Sequence, residues 1–188
     1  KGVKARSTLE KARLSNPKNE LLWETALSVE VENANQAGWR SVMIRALKEC
    51  PSSGLLHYHA IMHEPKSTRL SKAGEYLKKL PHNPWILFAY AQCYEADLKL
   101  ENALKWYQNT IENNTKMSLG IADFYLYFYA FLVRNSKIEL ANEVKNEFLQ
   151  SACVYGSLWI KHRKDPQNWL LSTEEIFIQA TNELLQSA

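Results

Sequence analysis

The opening stretch of this chain returns 34 residues later. Arg6, Ala12, Pro17, Leu21, Leu22, Ala26 and Glu30 find counterparts in Arg40, Ala46, Pro51, Leu55, Leu56, Ala60 and Glu64. A period of this length, built from two helical patterns and closed by a proline, marks a repeat whose units bury their apolar faces only against their neighbours. Such a chain stacks its elements instead of wrapping them around one centre. The expected fold is therefore all-α, a right-handed α-α superhelix, and it points to a binding scaffold before it points to an enzyme.

Proline punctuation divides the chain. Asn16-Pro17 ends a first helix predicted over Val3 to Ser15, because proline disfavours helix at the residue before it and lacks the N–H that would continue it. Leu22, Trp23, Ala26, Leu27 and Val29 then fall on one face of a helix predicted from Glu20 to Asn33. Asn35 to Gly38 is the expected turn, and Trp39 to Glu49 the partner helix, with Val42, Met43, Ala46 and Leu47 inward. The next pair is predicted over Leu55 to His63 and Leu70 to Leu80, so that Pro17, Pro51 and Pro81 stand at equivalent positions.

Beyond Pro84 the identity fades while the pattern persists. Trp85 to Ala96 pairs with Leu100 to Asn113, and Leu119 to Arg134 with Ile138 to Ser151. Ser172-x-x-Glu175 reads as a capping box before a last amphipathic helix bearing Ile176, Phe177, Ala180, Leu184 and Leu185. The expected organisation is a repeat array over 1–155, lacking the first helix of its first pair, and a C-terminal segment with a capping helix over 156–188. A start at Lys1 without Met makes a piece of a longer solenoid the expectation.

Composition narrows the setting. Lys and Arg total 23 against 20 Asp and Glu, and a net charge of +3 does not by itself indicate a nucleic-acid or membrane-surface protein. Cys50, Cys93 and Cys153 are odd in number and far apart, which fits free thiols in a reducing compartment, cytosol or nucleus. The apolar run Ile121 to Val133 is too short for a bilayer and contains Asp123; no signal peptide is expected, and the chain is expected to be soluble.

Trp23 and Glu30 lie two helical turns apart on one side of a helix, and Ala46, Leu47 and Pro51 close its partner. This W-x6-E pattern followed by A-L-x3-P resembles the HAT repeat, the half-a-tetratricopeptide variant of RNA-processing proteins. Three stretches carry a closer likeness: Lys11 to Asn19; Ala46 to Leu56; and Gly156-x-Leu158-Trp159 with Lys164-Asp165 and Asn168-Trp169. Together they resemble the C-terminal HAT/TPR-like region of the pre-mRNA-processing factor 6 family, over essentially the whole chain. The resemblance implies a nuclear scaffold of the U4/U6.U5 tri-snRNP that bridges U5 and U4/U6 components during pre-mRNA splicing, with other spliceosomal snRNP proteins as partners and no cofactor. A HAT protein of 3′-end cleavage or ribosomal RNA processing would share the repeat, and the segment Gly156 to Trp169 separates the two. The sequence departs from the pattern at His57, which replaces Trp; after Trp85, which lacks a Glu seven residues on; and at Tyr125 and Leu132, which stand for Trp and Glu.

Candidate residues follow in two groups. Trp23, Glu30, Ala46, Leu47, Pro51, Glu64 and Pro81 form the repeat-packing motif, Trp as a wedge between helices and Glu as an acceptor for the neighbouring helix or loop. Tyr127 and Tyr129, in the aromatic run Phe124 to Phe131, are candidate partner contacts, although a helix apolar on all sides is more simply explained by internal packing. Trp159, Lys161, Arg163, Lys164 and Trp169, beside His162, make a small basic and aromatic cluster, either a solvated surface or a minor contact to RNA phosphates. His59 and His63 are spaced to share an ion, but no further ligands complete a site beside them and His57, so no metal is expected. No phosphate-binding glycine loop or nucleophile elbow is present; neither catalysis nor a small-molecule substrate is expected.

Overall fold

A computed structural model describes residues 2–113, 120–151 and 155–186. These residues form eleven α-helices and one 3-10 turn, with no strand among them. The all-α helical-repeat class read from the sequence is the class observed. The chain divides into two compact units, Lys1–Cys93 and Tyr94–Ala188. Among the described residues no helix is long and apolar enough to cross a membrane.

The first unit holds α1 (Gly2–Ser15), α2 (Glu20–Glu32), α3 (Gln36–Glu49), α4 (Gly54–His63), α5 (Lys66–Lys79) and most of α6 (Pro84–Ala96). Three helices begin three residues after a punctuating proline, at Glu20, Gly54 and Pro84. The residue before each one organises the start. Asn19 and Ser53 accept from the N–H groups of Leu22 and Leu56, and Asn83 from that of Trp85. The partner helices start earlier than their apolar patterns do. Asn35 is itself a cap, accepting from Gly38 N at 3.1 Å, so α3 begins at Gln36 and not at Trp39. Pro65 precedes α5, which begins at Lys66 and not at Leu70. Trp23, Leu27, Trp39, Met43, Ala46 and Leu56 close a core between α2, α3 and α4.

The second unit contains α7 (Leu100–Glu112), α8 (Ile121–Arg134), α9 (Ile138–Ser151), α10 (Ser157–Arg163), a 3-10 turn at Pro166–Asn168 and α11 (Thr173–Gln186). Helix α8 is the aromatic run. Its residues favour strands individually, but α7, α9, α10 and α11 all pack on it, and burial on every side outweighs local preference. Tyr107 of α7 stacks on Phe128 at 5.4 Å, while Phe148 of α9 meets Phe177 of α11 at 4.7 Å. Gly120 takes a left-handed backbone (φ 83°) and sets the start of α8 at Ile121. Leu119, expected to open that helix, and Cys153 lie outside the described residues. Helix α10 falls in a segment whose sequence carries no clear helical period.

Backbone geometry repeats where side-chain identity has faded. Ala34, Leu98 and Ser136, at the turns α2–α3, α6–α7 and α8–α9, all have left-handed φ values (49°, 57° and 58°). The residue after each donates to a carbonyl five positions back: Asn35 to Glu30, Lys99 to Tyr94 and Lys137 to Leu132, each at 2.9 Å. This is one helix-terminating motif used three times. The α4–α5 turn, through Glu64-Pro65, does not use it.

Candidate interaction surfaces

The repeat motif is built from hydrogen bonds as well as packing. Trp23, 2% exposed, donates its indole N–H to the Pro17 carbonyl at 2.6 Å, and the Arg13 guanidinium lies 4.6 Å from its ring centroid. Glu30 accepts from Arg6 Nε at 2.7 Å, Arg6 Nη2 at 2.9 Å and Asn35 Nδ2 at 2.5 Å. The Arg6 hydrogen bond, aided by the one from Asn35, holds the Glu30 carboxyl below the usual carboxylate range. His57 keeps the role of the Trp it replaces: its Nε2–H donates to the Pro51 carbonyl at 2.8 Å, again six residues back, and the ring stacks on Tyr76 at 4.1 Å. Burial pushes its imidazole below the ordinary histidine range. Counted from Pro81, the same position belongs to the buried Leu87 and not to Trp85.

The rest of the motif divides between inside and outside. Ala46 is buried, Leu47 partly buried, and Pro51 and Pro81 are exposed at turns. Glu64 caps α4 in an extended conformation. His63 stacks on Trp39 at 3.6 Å and His59 approaches Glu24 at 3.5 Å. Among the described residues no group of three His, Cys, Asp or Glu is placed to hold a metal ion.

In the second unit a buried carboxylate anchors the C-terminal segment. Asp123, on α8 and 5% exposed, accepts from Trp159 N at 2.9 Å, Leu158 N at 3.1 Å and Ser157 Oγ at 3.0 Å, so it serves the N-terminus of α10 from another helix. Burial pushes its carboxyl above the usual range, and these hydrogen bonds oppose the rise. The fit requires glycine at 156, where a Cβ would sit 2.8 Å from Asp123 N. Sequence reasoning saw Asp123 only as an interruption of an apolar run. A lone carboxylate in such a run was the available signal, for a buried charge needs donors.

The candidate contacts separate in space. Trp159 is 4% exposed and packs edge-on against Phe148 at 5.0 Å, inside the unit. Tyr127 and Tyr129 are half-buried; Tyr129 meets Phe177 at 5.1 Å, and burial raises the Tyr127 phenol above its ordinary range. Lys161 binds both oxygens of Glu183 at 2.7 Å, and His162 reaches the same carboxylate at 3.0 Å. Arg163 and Lys164 end α10 in solvent. Asn168 is buried and donates to the His162 carbonyl at 3.0 Å, Asp165 accepts from Gln167 N, and Ser172 and Glu175 form the reciprocal capping box. This braced turn holds Trp169 and Leu170 outward, 78% and 88% exposed. Leu170 has no sequence signal of its own, because the short apolar run Trp169-Leu170-Leu171 carries no helical period.

No family model matches the chain. Pre-mRNA-splicing factor prp1 of Schizosaccharomyces pombe is 29% identical over 182 residues, 97% of this chain and 20% of that protein. Pre-mRNA-splicing factor 6 of Saccharomyces cerevisiae is 25% identical over 96% of this chain, again 20% of its own length. This chain is similar to pre-mRNA-processing factor 6 and its yeast counterparts. The human pre-mRNA-processing factor 6 is 33% identical over 101 residues, 54% of this chain and 10% of the human protein. The likeness to that family thus extends along nearly the whole chain while covering about a fifth of the yeast proteins.

Proposed function

We propose that this chain is a protein-interaction module of the nuclear pre-mRNA splicing machinery, acting by positioning partners and not by catalysis. The observation that carries this reading is similarity to splicing factors over 97% of the chain, together with an all-α repeat architecture suited to binding proteins along its surface. Its finer form is a tri-snRNP scaffold whose partners are U5 and U4/U6 components, bridged during spliceosome assembly. In this reading residues 1–155 are the repeat array and 156–188 close it. The polar outer face of α11, with Glu174, Glu175, Gln179, Asn182 and Gln186 exposed, supports the closing role.

Trp169 and Leu170 are the anchor proposed for one partner. An exposed Trp on a braced turn loses little freedom on binding and is among the residue types that carry most interface energy, while Leu170 adds apolar contact beside it. Direct RNA binding is the weaker reading, because Lys161, Arg163 and Lys164 are a small footprint for phosphates and Asp165 follows them at once. The test is affinity purification of the tagged chain from nuclear extract, with quantitation of snRNP proteins. Wild type recovers U5 and U4/U6 proteins, and the Trp169→Ala, Leu170→Ala double variant recovers several-fold less. Recovery of cleavage or ribosomal-RNA-processing proteins instead overturns the assignment.

A further inference from the structure

The 34-residue echo breaks at one ion pair. Arg6 clamps Glu30 in the first pair, and the repeat carries these residues to Arg40 and Glu64, yet no bond between Arg40 and Glu64 is found among the described residues. The cause is the length of α4, which has 10 residues where α2 has 13. Pro65 follows at once, so Glu64 leaves the helix (φ −68°, ψ 154°) and its carbonyl accepts from Arg69 Nε at 2.8 Å. Where the first pair is clamped, the second stays open. A groove of about 390 Å³ lies between α3 and α5, with Met43, Leu47 and Ala60 on its apolar side, Trp39 and Tyr76 along it, and the cations Arg40 and Lys72 beside the single carboxylate Glu64.

Charge collects on α5, whose Lys72 lines the groove. Helix α5 carries Lys66, Arg69, Lys72, Lys78 and Lys79 against Glu75 alone, a net +4 in a chain whose total is +3. Helix α5 is thus the most basic helix of the chain, ahead of α1 and α3. Lys72, half-buried, pairs with the exposed Glu75 at 3.1 Å, and a pair open to solvent on one side exchanges for another carboxylate at little cost.

We propose that the α3–α5 groove docks an acidic linear peptide segment of a partner protein, with an aliphatic side chain seated on Met43, Leu47 and Ala60 and carboxylates reaching Arg40, Lys72 and Lys79. A protein segment fits better than single-stranded RNA, which needs open aromatic faces for its bases. Here His63 covers Trp39 at 3.6 Å, His57 covers Tyr76 at 4.1 Å, and Lys72 and Lys79 lie 5.6 and 5.7 Å from the Tyr76 centroid. The inference rests on the reading of the chain as a protein-binding module.

Fluorescence anisotropy of the whole chain tests it with three probes: a short Asp/Glu peptide with a central Leu-Leu, the same peptide with Ala-Ala, and an oligouridylate of matched length. The Leu-Leu peptide binds saturably, and the Ala-Ala peptide about tenfold more weakly, the loss expected for uncovering aliphatic surface. The exposed double variant Arg40→Glu, Lys79→Glu, checked for an unchanged melting temperature, also weakens the Leu-Leu peptide by about tenfold or more. Absent binding, equal affinity for both peptides, a double variant that binds like wild type, or tighter binding of the oligouridylate overturns the proposal. Recovery of snRNP proteins from extract is read separately, so loss of the groove and loss of the splicing assignment are distinguishable.

Discussion

Trp23 and His57 show how two different residues satisfy one position. Each sends a ring N–H to the carbonyl of a proline six residues earlier, so the donor is retained while the wedge shrinks. The imidazole also stacks on Tyr76. Truncating Trp23 to Ala removes the indole, its hydrogen bond and the face that receives Arg13; urea unfolding should report a loss of about 3–5 kcal/mol. His57 adds a pH signature. Burial lowers its pKa, so the unfolded chain takes up a proton first as pH falls, and stability declines from the ordinary histidine range, about 6.5, downward to the lowered folded value. His57→Phe removes that contribution, and its melting temperature should fall less between pH 7 and pH 5.5 than that of wild type. An unchanged slope would show that His57 is not the group responsible. Glu30 acts in a separate window: its pKa is lowered by Arg6, so its stabilisation is present above the ordinary carboxylate range and lost only as pH falls below it.

Among the elements, the C-terminal segment depends on one residue of α8. Asp123→Ala leaves the N–H groups of Leu158 and Trp159 without their acceptor, at a cost of about 2–3 kcal/mol, and amide exchange should accelerate in α10 before it does in α9. Gly156→Ala should act in the same direction, because the added Cβ meets Asp123. Deleting 156–188 should expose α8, against which α10 and α11 pack, as well as Phe148 of α9, and lower the melting temperature or promote aggregation. An unchanged melting temperature and monodisperse behaviour would contradict a closing role. Helix existence was legible wherever proline punctuation or an apolar period spoke, as for α2, α9 and α11. Starts that depend on a cap were less so: Asn35 and Pro65 open α3 and α5 through polar or neutral residues that carry no periodicity. Helix α10 was missed because its position is fixed from outside by Asp123, a contact |i−j| = 36 away at Trp159 that no local pattern reveals. The surfaces were least legible. Trp159 and Trp169 are alike in the sequence, yet one is core and the other is solvent-facing, because only the first follows a capped helix onto Phe148.

For the molecule as a whole, repetition explains folding and departures from it supply the surfaces. The clamp of Arg6 on Glu30 and the Trp23 wedge are spent on packing, whereas the shortened α4 opens a groove and the turn after α10 presents Trp169 and Leu170. These surfaces fit proteins better than nucleic acid, since a net charge of +3 leaves little general attraction for phosphates. Filter binding of the chain to single-stranded RNA should accordingly be absent or very weak near physiological ionic strength, and a steep salt dependence with tight binding at low salt would argue for a phosphate-binding role. The central claim, a protein scaffold within splicing complexes, is tested most directly by crosslinking mass spectrometry on the tagged chain in nuclear extract. Crosslinks to U5 and U4/U6 snRNP proteins are expected, including sites beside Trp169 and along α5; crosslinks confined to cleavage factors or to RNA would contradict a scaffold role in splicing.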